Sequence, residues 1–453
     1  MALYNIKKHL PEVQHLRAPV AHVENLDFLF SHRNIKTKWK VVPSDVCDGY
    51  HLLSVQVVAT KKFLGDDEVY KNEPRLQQLV PRGLCYVLKR DEDPSILHLA
   101  AIVYPTSKFF GDDDQSDGVV VLGDDELQKD VPKGCRMIGT EKANGEMFTV
   151  NAVHKGDDGS FHVVLGSKNN KFLFPFHPQK TTKEEIRRMI KSYLDVTSPD
   201  NKYPNVDLST DKRWTYDNVW VEMSEYFLGK MLEISDGSTT LCDRLFTEKL
   251  TACGEFESWL HPHVVELPEG HRSVSFFAFT TYDEGGSPKS VSGAERLNQL
   301  DWVDSTGFQT VTRKEVAAGT DIMQLRRDVW ARKNSEGLVL LVLDAASGEI
   351  QRMVKMKTIW YVVHRGYRER LRRFVTGRNA KTTGQARYEL MEKELRSVLE
   401  SKLSIFKASL DEKWKGSVPR LVEAVRKVEK EKRMKEVFSF EYPLLIRAAD
   451  GQE

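Results

Sequence analysis

Short runs of apolar residues separated by polar turns dominate the first third of the chain and predict strands. Residues 48–60 (GYHLLSVQVVATK) and 83–104 (GLCYVLKRDEDPSILHLAAIVY) are rich in valine, leucine, isoleucine and tyrosine. Such runs are typical of strands in a partly buried sheet. The stretch at 111–118, rich in Asp and Gly, and the acidic turn at 124–126 predict solvated loops before the next strands.

The middle of the chain alternates predicted strands with predicted helices. Residues 136–166 have the pattern of a hairpin, whereas 181–196 and 216–232 carry apolar residues at helical spacing. Strands are predicted again at 249–283 and 335–363. This order of strands, helices and strands favours an α+β fold over a doubly wound parallel sheet.

The last segment has a different character. Residues 365–438 are rich in Arg, Lys, Glu and Leu, and apolar residues recur every three or four positions, which predicts helices. Three parts are therefore expected: an N-terminal elaboration at 1–75, a catalytic core at 76–363 and a C-terminal helical domain at 364–453.

Composition narrows the class of protein without naming a partner. The 67 Lys and Arg residues balance 66 Asp and Glu residues, so any affinity for nucleic acid must come from local patches. Five cysteines without a CxxC pair favour neither a disulfide framework nor a zinc site and indicate a reducing compartment. With no signal-peptide core and no apolar run of about 18 residues, a cytoplasmic or nuclear protein without a membrane partner is expected.

Five short strings carry the candidate chemistry. Each is weak by itself, because a lysine before Asn-Gly, for example, is most often an exposed hairpin residue. In chain order the strings are Lys142-Ala143-Asn144-Gly145, Gly166-Ser167-Lys168, Gly254-Glu255-Phe256, Glu336-Gly337-Leu338 and Val354-Lys355-Met356-Lys357. Together and in this order they resemble the motifs of the ATP-dependent ligase and capping-enzyme superfamily, in which a KxDG lysine becomes covalently nucleotidylylated.

Two further strings narrow the resemblance. Arg82-Gly83 and Lys108-Phe109-Phe110 look like the upstream elements of phage-type RNA ligase 1 and of fungal and plant tRNA ligases, which also tend to carry KANG. The match is partial, since no Asn follows Lys108-Phe109-Phe110. The resemblance implies a nucleotidyltransferase (adenylyltransferase) core of two antiparallel sheets with flanking helices.

The resemblance also implies roles for individual residues. Catalysis falls to Lys142, Lys355 and Lys357, and metal binding, of Mg²⁺ or Mn²⁺, to Glu255 and Glu336. Of Phe277 and Phe279, which alternate on one predicted strand, Phe279 is favoured for stacking on adenine. The residues implied in binding ATP are Arg82, Lys108, Asn144, Gly145, Lys168, Glu255, Phe277, Phe279, Glu336, Lys355 and Lys357.

General chemistry supports this choice of residue types. A lysine attacks a phosphate only as the free amine. Lowering a lysine pKa from about 10.4 to about 7 requires the ammonium form to be destabilised relative to the amine by roughly 4–5 kcal/mol. Cations on a nearby strand repel the ammonium and so destabilise it. Lys355 and Lys357 alternate with apolar residues, so both point to one face of their strand.

The expected activity is ATP-dependent joining of RNA ends, such as tRNA halves or other cleaved RNA, through lysyl-AMP and adenylylated RNA. A cluster of arginines straight after the last predicted strand suits contacts with RNA phosphates; it comprises Arg365, Arg368, Arg370, Arg372 and Arg373. The alternatives are an mRNA-capping guanylyltransferase or a non-catalytic protein that binds RNA ends, whereas the predicted helical tail disfavours a DNA ligase. The oligomeric state and the accepted terminal phosphates stay open.

Overall fold

The structure is a computed structural model of the whole chain. It describes residues 1–59, 66–107, 113–115, 118–120, 125, 127–128, 131, 135–197, 219–282, 288–290, 300–348, 350–375, 383–431, 433–434, 437–438 and 441–452. Lys108, one of the sequence-derived site residues, lies outside the described residues.

The described strands, numbered in chain order, are β1 (His15–Arg17), β2 (Ile35–Val41), β3 (Tyr50–Val57), β4 (Cys85–Arg90), β5 (Ile96–Val103), β6 (Asp113–Gln115), β7 (Gly118–Val120), β8 (Arg136–Glu141), β9 (Glu146–Lys155), β10 (Phe161–Gly166), β11 (Lys171–Phe176), β12 (Thr251–Ser258), β13 (Arg272–Tyr282), β14 (Pro288–Ser290), β15 (Gln309–Thr310), β16 (Arg313–Val316), β17 (Gly337–Leu343) and β18 (Ile350–Lys357).

The described helices, numbered in the same way, are α1 (Ala2–Lys7), α2 (Val20–Ser31), α3 (Ser44–Cys47), α4 (Asp66–Asn72), α5 (Pro74–Leu79), α6 (Lys183–Thr197), α7 (Val219–Glu233), α8 (Ser235–Thr247), α9 (Ile322–Ala331), α10 (Ile359–Val375), α11 (Gly384–Ile405), α12 (Glu412–Lys430) and α13 (Tyr442–Asp450).

The chain forms two compact units that interleave along the sequence. The first unit comprises Met1–Lys108, Glu146–Phe256 and Val274–Thr310, and the second comprises Phe109–Gly145, Glu257–Ser273 and Val311–Glu453. These divisions do not coincide with the boundaries predicted after residues 75 and 363, so the three-part description stays a prediction.

Two sheets form the first unit. One has the strand order β1-β5-β4-β3-β2, and the other has the order β11-β10-β9-β12-β13-β14, with β15 beside β13. Helices α6, α7 and α8 supply buried faces to a continuous apolar core that includes Phe148, Phe172, Tyr193, Phe227 and Phe276. Burial of large aromatic side chains of this kind is a dominant source of stability.

A smaller antiparallel sheet and a group of helices form the second unit. The sheet has the order β16-β8-β17-β18, and α9 covers its apolar face through Ile322 and Val329. Helices α10 to α13 share a separate core that includes Trp360, Leu395, Leu421 and Tyr442. The sheet ends directly before α10, because Lys357 closes β18 and Ile359 opens the helix.

The prediction of a mixed α/β chain is confirmed. The hairpin is present as β9 and β10, while the longer run at 136–153 divides into β8 and β9 around residues 142–145. The prediction of a strand through 359–363 was wrong, since these residues open α10. Their β-branched and aromatic content favours a strand locally, but Trp360, Val363 and Tyr367 bury one helical face in the core of the second unit.

Among the described residues, no helix combines the length and apolar character that crossing a bilayer requires.

Candidate active site

Strand register brings three charged side chains of the second unit to one end of its sheet. Lys142 follows the last residue of β8, Glu336 precedes the first residue of β17, and Lys357 ends β18. Gly337 lies opposite Lys357, and the Lys142 amide donates to the Gly337 carbonyl at 3.0 Å. The same end of three adjacent strands therefore carries all three side chains, because neighbours in a ladder stay about 5 Å apart.

A single carboxylate oxygen connects the two lysines. Glu336 Oε1 lies 2.8 Å from Lys142 Nζ and 3.7 Å from Lys357 Nζ. The side chains of Glu336 and Lys357 are each 6% exposed, whereas Lys142 is 22% exposed. Lys142 is thus the member of this group that an incoming molecule can reach.

The electrostatics of the group favour an ionised carboxylate. Burial by itself raises the pKa of Glu336, but the cations of Lys142 and Lys357, together with hydrogen bonds from Lys142 and Asn144, lower that pKa to about 2. Lys355 occupies the same face of β18 as Lys357 and is 9% exposed. Two lysines therefore contact one buried carboxylate, and a third lies on the same strand face as Lys357.

Asn144 connects this group to its surroundings through four side-chain hydrogen bonds. Its Oδ1 accepts from the amides of Val264 and Val265 at 3.1 and 3.0 Å. Its Nδ2 donates to Glu336 Oε2 at 2.8 Å and to the Tyr361 hydroxyl at 3.2 Å. Backbone amides can only donate, so the orientation of the Asn144 amide is determined by its partners.

Two features here were missed by sequence reasoning. Glu257 accepts the Asn144 backbone amide at 3.1 Å, although only Glu255, two residues earlier on β12, was singled out. Tyr361 was placed on a predicted strand and given no role. The alternation of β12 was a usable signal for Glu257, since residues two apart share a strand face.

Gly337 is required by the backbone next to Glu336. Its φ of +138° lies in a region that side chains rarely adopt, and a Cβ there would collide with the Met356 carbonyl. The Glu-Gly pair therefore has a structural basis: only glycine lets β17 start close against β18 immediately after the carboxylate.

Arg82 and Lys168 lie in the first unit and line a common cavity of about 220 Å³. The other polar side chains of its lining are Gln56, Tyr70 and Asn169. Gly83 permits a close approach, since its φ is +95° and a Cβ would lie 3.1 Å from Lys171 Nζ. A cavity with a guanidinium and an ammonium in its wall suits an anion such as phosphate.

One buried and one half-buried lysine, which the sequence did not reveal, support the turn that carries Lys168. Lys171, 1% exposed, donates from Nζ to the Ser167 carbonyl, and burial lowers its pKa to about 8. Lys40 Nζ donates to the Lys171 carbonyl at 2.9 Å and lies 3.4 Å from the centre of the Phe172 ring. Burial and then the charge of Lys38 lower the Lys40 pKa to about 7.

The remaining sequence-derived nucleotide residues have diverse environments. Glu255 and Gly145 are half-buried. Phe277 is also half-buried, whereas Phe279 is 2% exposed and belongs to the core of the first unit, where it packs on Phe276. Of the two aromatic candidates, only Phe277 has appreciable exposed surface.

The arginine cluster lies on α10 and is partly engaged within the protein. Arg365 pairs with Glu369 at 3.3 Å, and Arg370 lies 3.4 Å from Glu394. Arg368 stacks over the Tyr442 ring at 5.6 Å. Arg372 is exposed and Arg373 is half-buried.

A divalent cation would find few protein ligands in the second unit. In the part of the chain that the structure describes, no group of three His, Cys, Asp or Glu residues could hold a metal ion. Mg²⁺ and Mn²⁺ in nucleotide sites commonly take one or two carboxylates, with phosphate oxygens and water completing the shell. Glu336, ionised and adjacent to Lys142, fits that kind of site.

Comparisons with known proteins give remote likenesses only. No family model and no curated protein matches the chain. An archaeal ATP-dependent RNA ligase aligns over 99% of this chain and 81% of its own, with 14% identity and a TM-score of 0.40. A Naegleria gruberi RNA ligase with pyrophosphate, and a mutant of it with AMP and Mn, each align over 73% of this chain and 97% of their own, with 13% identity and a TM-score of 0.29. The chain is thus remotely similar to RNA ligases of known structure.

Proposed function

We propose that the protein is an ATP-dependent RNA ligase that carries AMP on Lys142. The observation that supports this most is the shared carboxylate: Glu336 Oε1 lies 2.8 Å from a reachable lysine and 3.7 Å from a buried one. An exposed lysine in an ordinary surface ion pair would have neither a second cation nor a buried partner.

In the first step, the Lys142 amine attacks the α-phosphorus of ATP. A P–N bond forms, the bond to the bridging oxygen breaks, and pyrophosphate leaves. Glu336 holds Lys142 in place before the reaction. Because the Glu336 pKa is about 2, the carboxylate stays ionised and the proton of the Lys142 ammonium passes to solvent, a loss that further positive charge near the amine favours.

Lys355 and Lys357 provide part of that charge and also suit contacts with α-phosphate oxygens. Glu336 would hold Mg²⁺ or Mn²⁺, which when bound supplies additional positive charge against the ammonium and the phosphates. Asn144 and Gly337 keep Glu336 in place through the amide contact and the tight start of β17. The later steps transfer AMP to an RNA 5′-phosphate, and a 3′-hydroxyl then displaces it.

On its own composition, the cavity of the first unit is proposed to bind an anion such as a phosphate group. Arg82 and Lys168 would contact it directly, and Lys40 and Lys171 would maintain the turn beneath Lys168. For adenine, Phe277 is the better candidate of the two phenylalanines because its ring is partly exposed. Selection of ATP and of RNA rests on the resemblance of the motifs.

A capping guanylyltransferase is the second candidate, because it would use the same lysine chemistry with GTP. It usually appends an oligonucleotide-binding barrel, whereas the described residues after Lys357 contain helices α10 to α13 and no strand. This observation favours the ligase.

Incubation with α-labelled ATP or GTP distinguishes the RNA ligase from the capping guanylyltransferase. We expect label from ATP on the denatured protein, in a linkage released by acid and stable to alkali, as a P–N bond is. Subsequent addition of RNA with a 5′-phosphate and a 3′-hydroxyl should discharge the label and yield joined RNA. Label from GTP alone would indicate the capping reaction, and absence of label from both would contradict lysine nucleotidylylation.

The RNA arm should use a nicked duplex and a pair of single strands, each prepared with either a 3′-hydroxyl or a 3′-phosphate end. Lys314→Ala is a suitable control for Lys142→Ala, since Lys314 is exposed on β16 of the same sheet. Normal labelling of Lys314→Ala beside loss of label in Lys142→Ala would support the assignment.

A further inference from the structure

Helix α13 is attached to α10 by a carboxylate that is 11% exposed. Asp450, the last residue of α13, accepts from Trp360 Nε1 at 2.7 Å through Oδ2, and its Oδ1 lies 3.2 Å from His364 Nε2. The Tyr442 hydroxyl donates to the His364 carbonyl at 3.0 Å. These contacts fix α10 both along its axis and in rotation, because they hold residues one turn apart.

Tyr361 lies within the turn that Asp450 fixes. It follows Trp360 directly, is 2% exposed, and its amide donates to Thr358 Oγ1 at 2.9 Å. Its hydroxyl receives hydrogen bonds from Asn144 Nδ2 at 3.2 Å and from Arg365 at 3.4 Å. The rotation of α10 therefore determines where this hydroxyl meets Asn144.

A second connection runs through the segment that binds the other end of the Asn144 amide. Val264, whose amide donates to Asn144 Oδ1, is fully buried in the same core as Tyr442 and Leu445 of α13. Arg447 of α13 also pairs with Glu266 at 3.5 Å, although both side chains are largely solvated, so the pair adds little. Both ends of the Asn144 amide thus depend on elements that α13 packs against.

We propose that α13 positions the nucleophilic lysine, with Asp450 and Tyr361 as positioning residues for nucleotidylylation of Lys142. Asp450 fixes α10, Tyr361 orients the Asn144 amide, Asn144 holds Glu336 Oε2, and the other oxygen of Glu336 holds Lys142. The inference rests on the proposed function. It assigns the helices beyond the sheet a part in the first chemical step, independent of any contact with RNA.

The chemistry explains why a small displacement matters. Attack on phosphorus needs the amine in line with the leaving oxygen, and a misplacement of about 1 Å can reduce a rate by about 100-fold. Loss of the Tyr361 hydroxyl leaves the Asn144 amide with one partner fewer on its Nδ2 side. The amide can then turn, and the carboxylate that locates Lys142 turns with it.

The test measures single-turnover labelling by α-labelled ATP in the full chain. We expect Tyr361→Phe and Asp450→Ala each to reduce the labelling rate constant about tenfold, with the half-saturating ATP concentration changed by less than about twofold. Asp450→Asn, which retains an acceptor for Trp360, should recover most of the rate. Leu444→Ala, an exposed position on α13, is the matched control and should label at the wild-type rate.

The double variant distinguishes positioning from general stability. If both residues act through one series of contacts, Asp450→Ala should reduce the rate by less than about twofold in the Tyr361→Phe background. Independent, multiplicative losses would overturn the inference, as would single variants that label at the wild-type rate. Thermal melting of every variant confirms that the assay temperature lies below its transition, and Tyr361→Phe by itself still tests the inference if Asp450→Ala does not fold. Failure of the wild-type protein to label would instead overturn the proposed function.

Discussion

The two basic regions of this protein balance their charge in different ways. In the second unit, Lys142 and Lys357 share the Glu336 carboxylate, and the pKa of that carboxylate is lowered to about 2. In the first unit, Lys40 and Lys171 donate to carbonyl oxygens, and the pKa values of the lysines themselves are lowered to about 7 and about 8. One region has an internal counter-charge, and the other relies on neutral acceptors.

The difference indicates two different tasks. A lysine held by a carboxylate is located precisely before reaction, which suits a nucleophile whose position must be exact to a fraction of an ångström. Lysines held by neutral groups retain their positive potential for an incoming anion, at a cost in stability that the anion offsets when it binds. We therefore interpret the first region as a phosphate-binding site and the second as the site of the covalent step.

The largest expected effect comes from removing the internal counter-charge. Glu336→Gln leaves Lys142 and Lys357 without their shared anion, so the amine loses its fixed position. We expect labelling by α-labelled ATP to fall by about 100-fold or more. Glu315→Gln, an exposed carboxylate on β16 of the same sheet, is the control and should label normally. A Glu336→Gln protein that labels at the wild-type rate would contradict the role of the Glu336 carboxylate in positioning Lys142.

A second experiment tests whether Asn144 must be an amide. Asn144→Asp would place a carboxylate where Nδ2 lies 2.8 Å from Glu336 Oε2. Repulsion and burial should raise the folded-state pKa of the new acid above its unfolded value of about 3.9. A raised folded pKa means that the acid is tolerated at low pH and that its stability contribution is lost as pH rises through that pKa.

The melting temperature of Asn144→Asp should therefore lie several degrees below wild type at pH 8, and the difference should narrow towards pH 5. Asp328→Asn on α9 controls for a single change of charge in the same unit. A melting difference that is independent of pH would argue against direct apposition of the two carboxylates.

Anion binding tests the interpretation of the basic region in the first unit as a phosphate-binding site. Pyrophosphate should raise the melting temperature of the wild-type protein by a few degrees, through preferential binding to the folded state. Arg82→Ala or Lys168→Ala should remove most of this increase, whereas Lys191→Ala on α6 should not. The increase should be greater at pH 6.5 than at pH 9, because an anion binds best when Lys40 and Lys171 are protonated. Equal protection at both pH values would count against their contribution.

The smallest effect concerns the stability of the first unit alone. The Lys40 pKa of about 7 lies below the value of about 10.4 expected in the unfolded chain. Between these values the unfolded state binds more protons, so this residue makes stability increase with pH. Lys40→Met should raise the midpoint of chemical denaturation slightly at pH 7 and flatten its increase towards pH 9. An unchanged slope would show that Lys40 is solvated.

The sequence was informative wherever a local pattern determines structure. Alternating residues identified the hairpin of β9 and β10, and helical spacing identified α6 and α7. The grouping of Lys142, Glu336 and Lys357 followed from the order of short strings, and the register of β8, β17 and β18 places them together. The roles given to these residues stay predictions until the chemistry is measured.

The rest depended on tertiary packing. Glu255 and Glu257 are equivalent in pattern, and only the position of the Asn144 amide distinguishes them. Tyr361 lies in an apolar run that resembles a strand but forms a helix because one of its faces is buried. The burial of Lys171 and the partial burial of Lys40 cannot be read from sequence, since lysine is normally among the most exposed residues.

Peptide mapping of the protein after incubation with ATP and Mg²⁺ tests the central claim most directly. We expect one AMP, joined through a P–N bond, on the peptide that contains Lys142, and no AMP on any peptide of Lys142→Ala. AMP on a different lysine, or an unmodified Lys142 peptide under conditions in which the protein joins RNA, would contradict it.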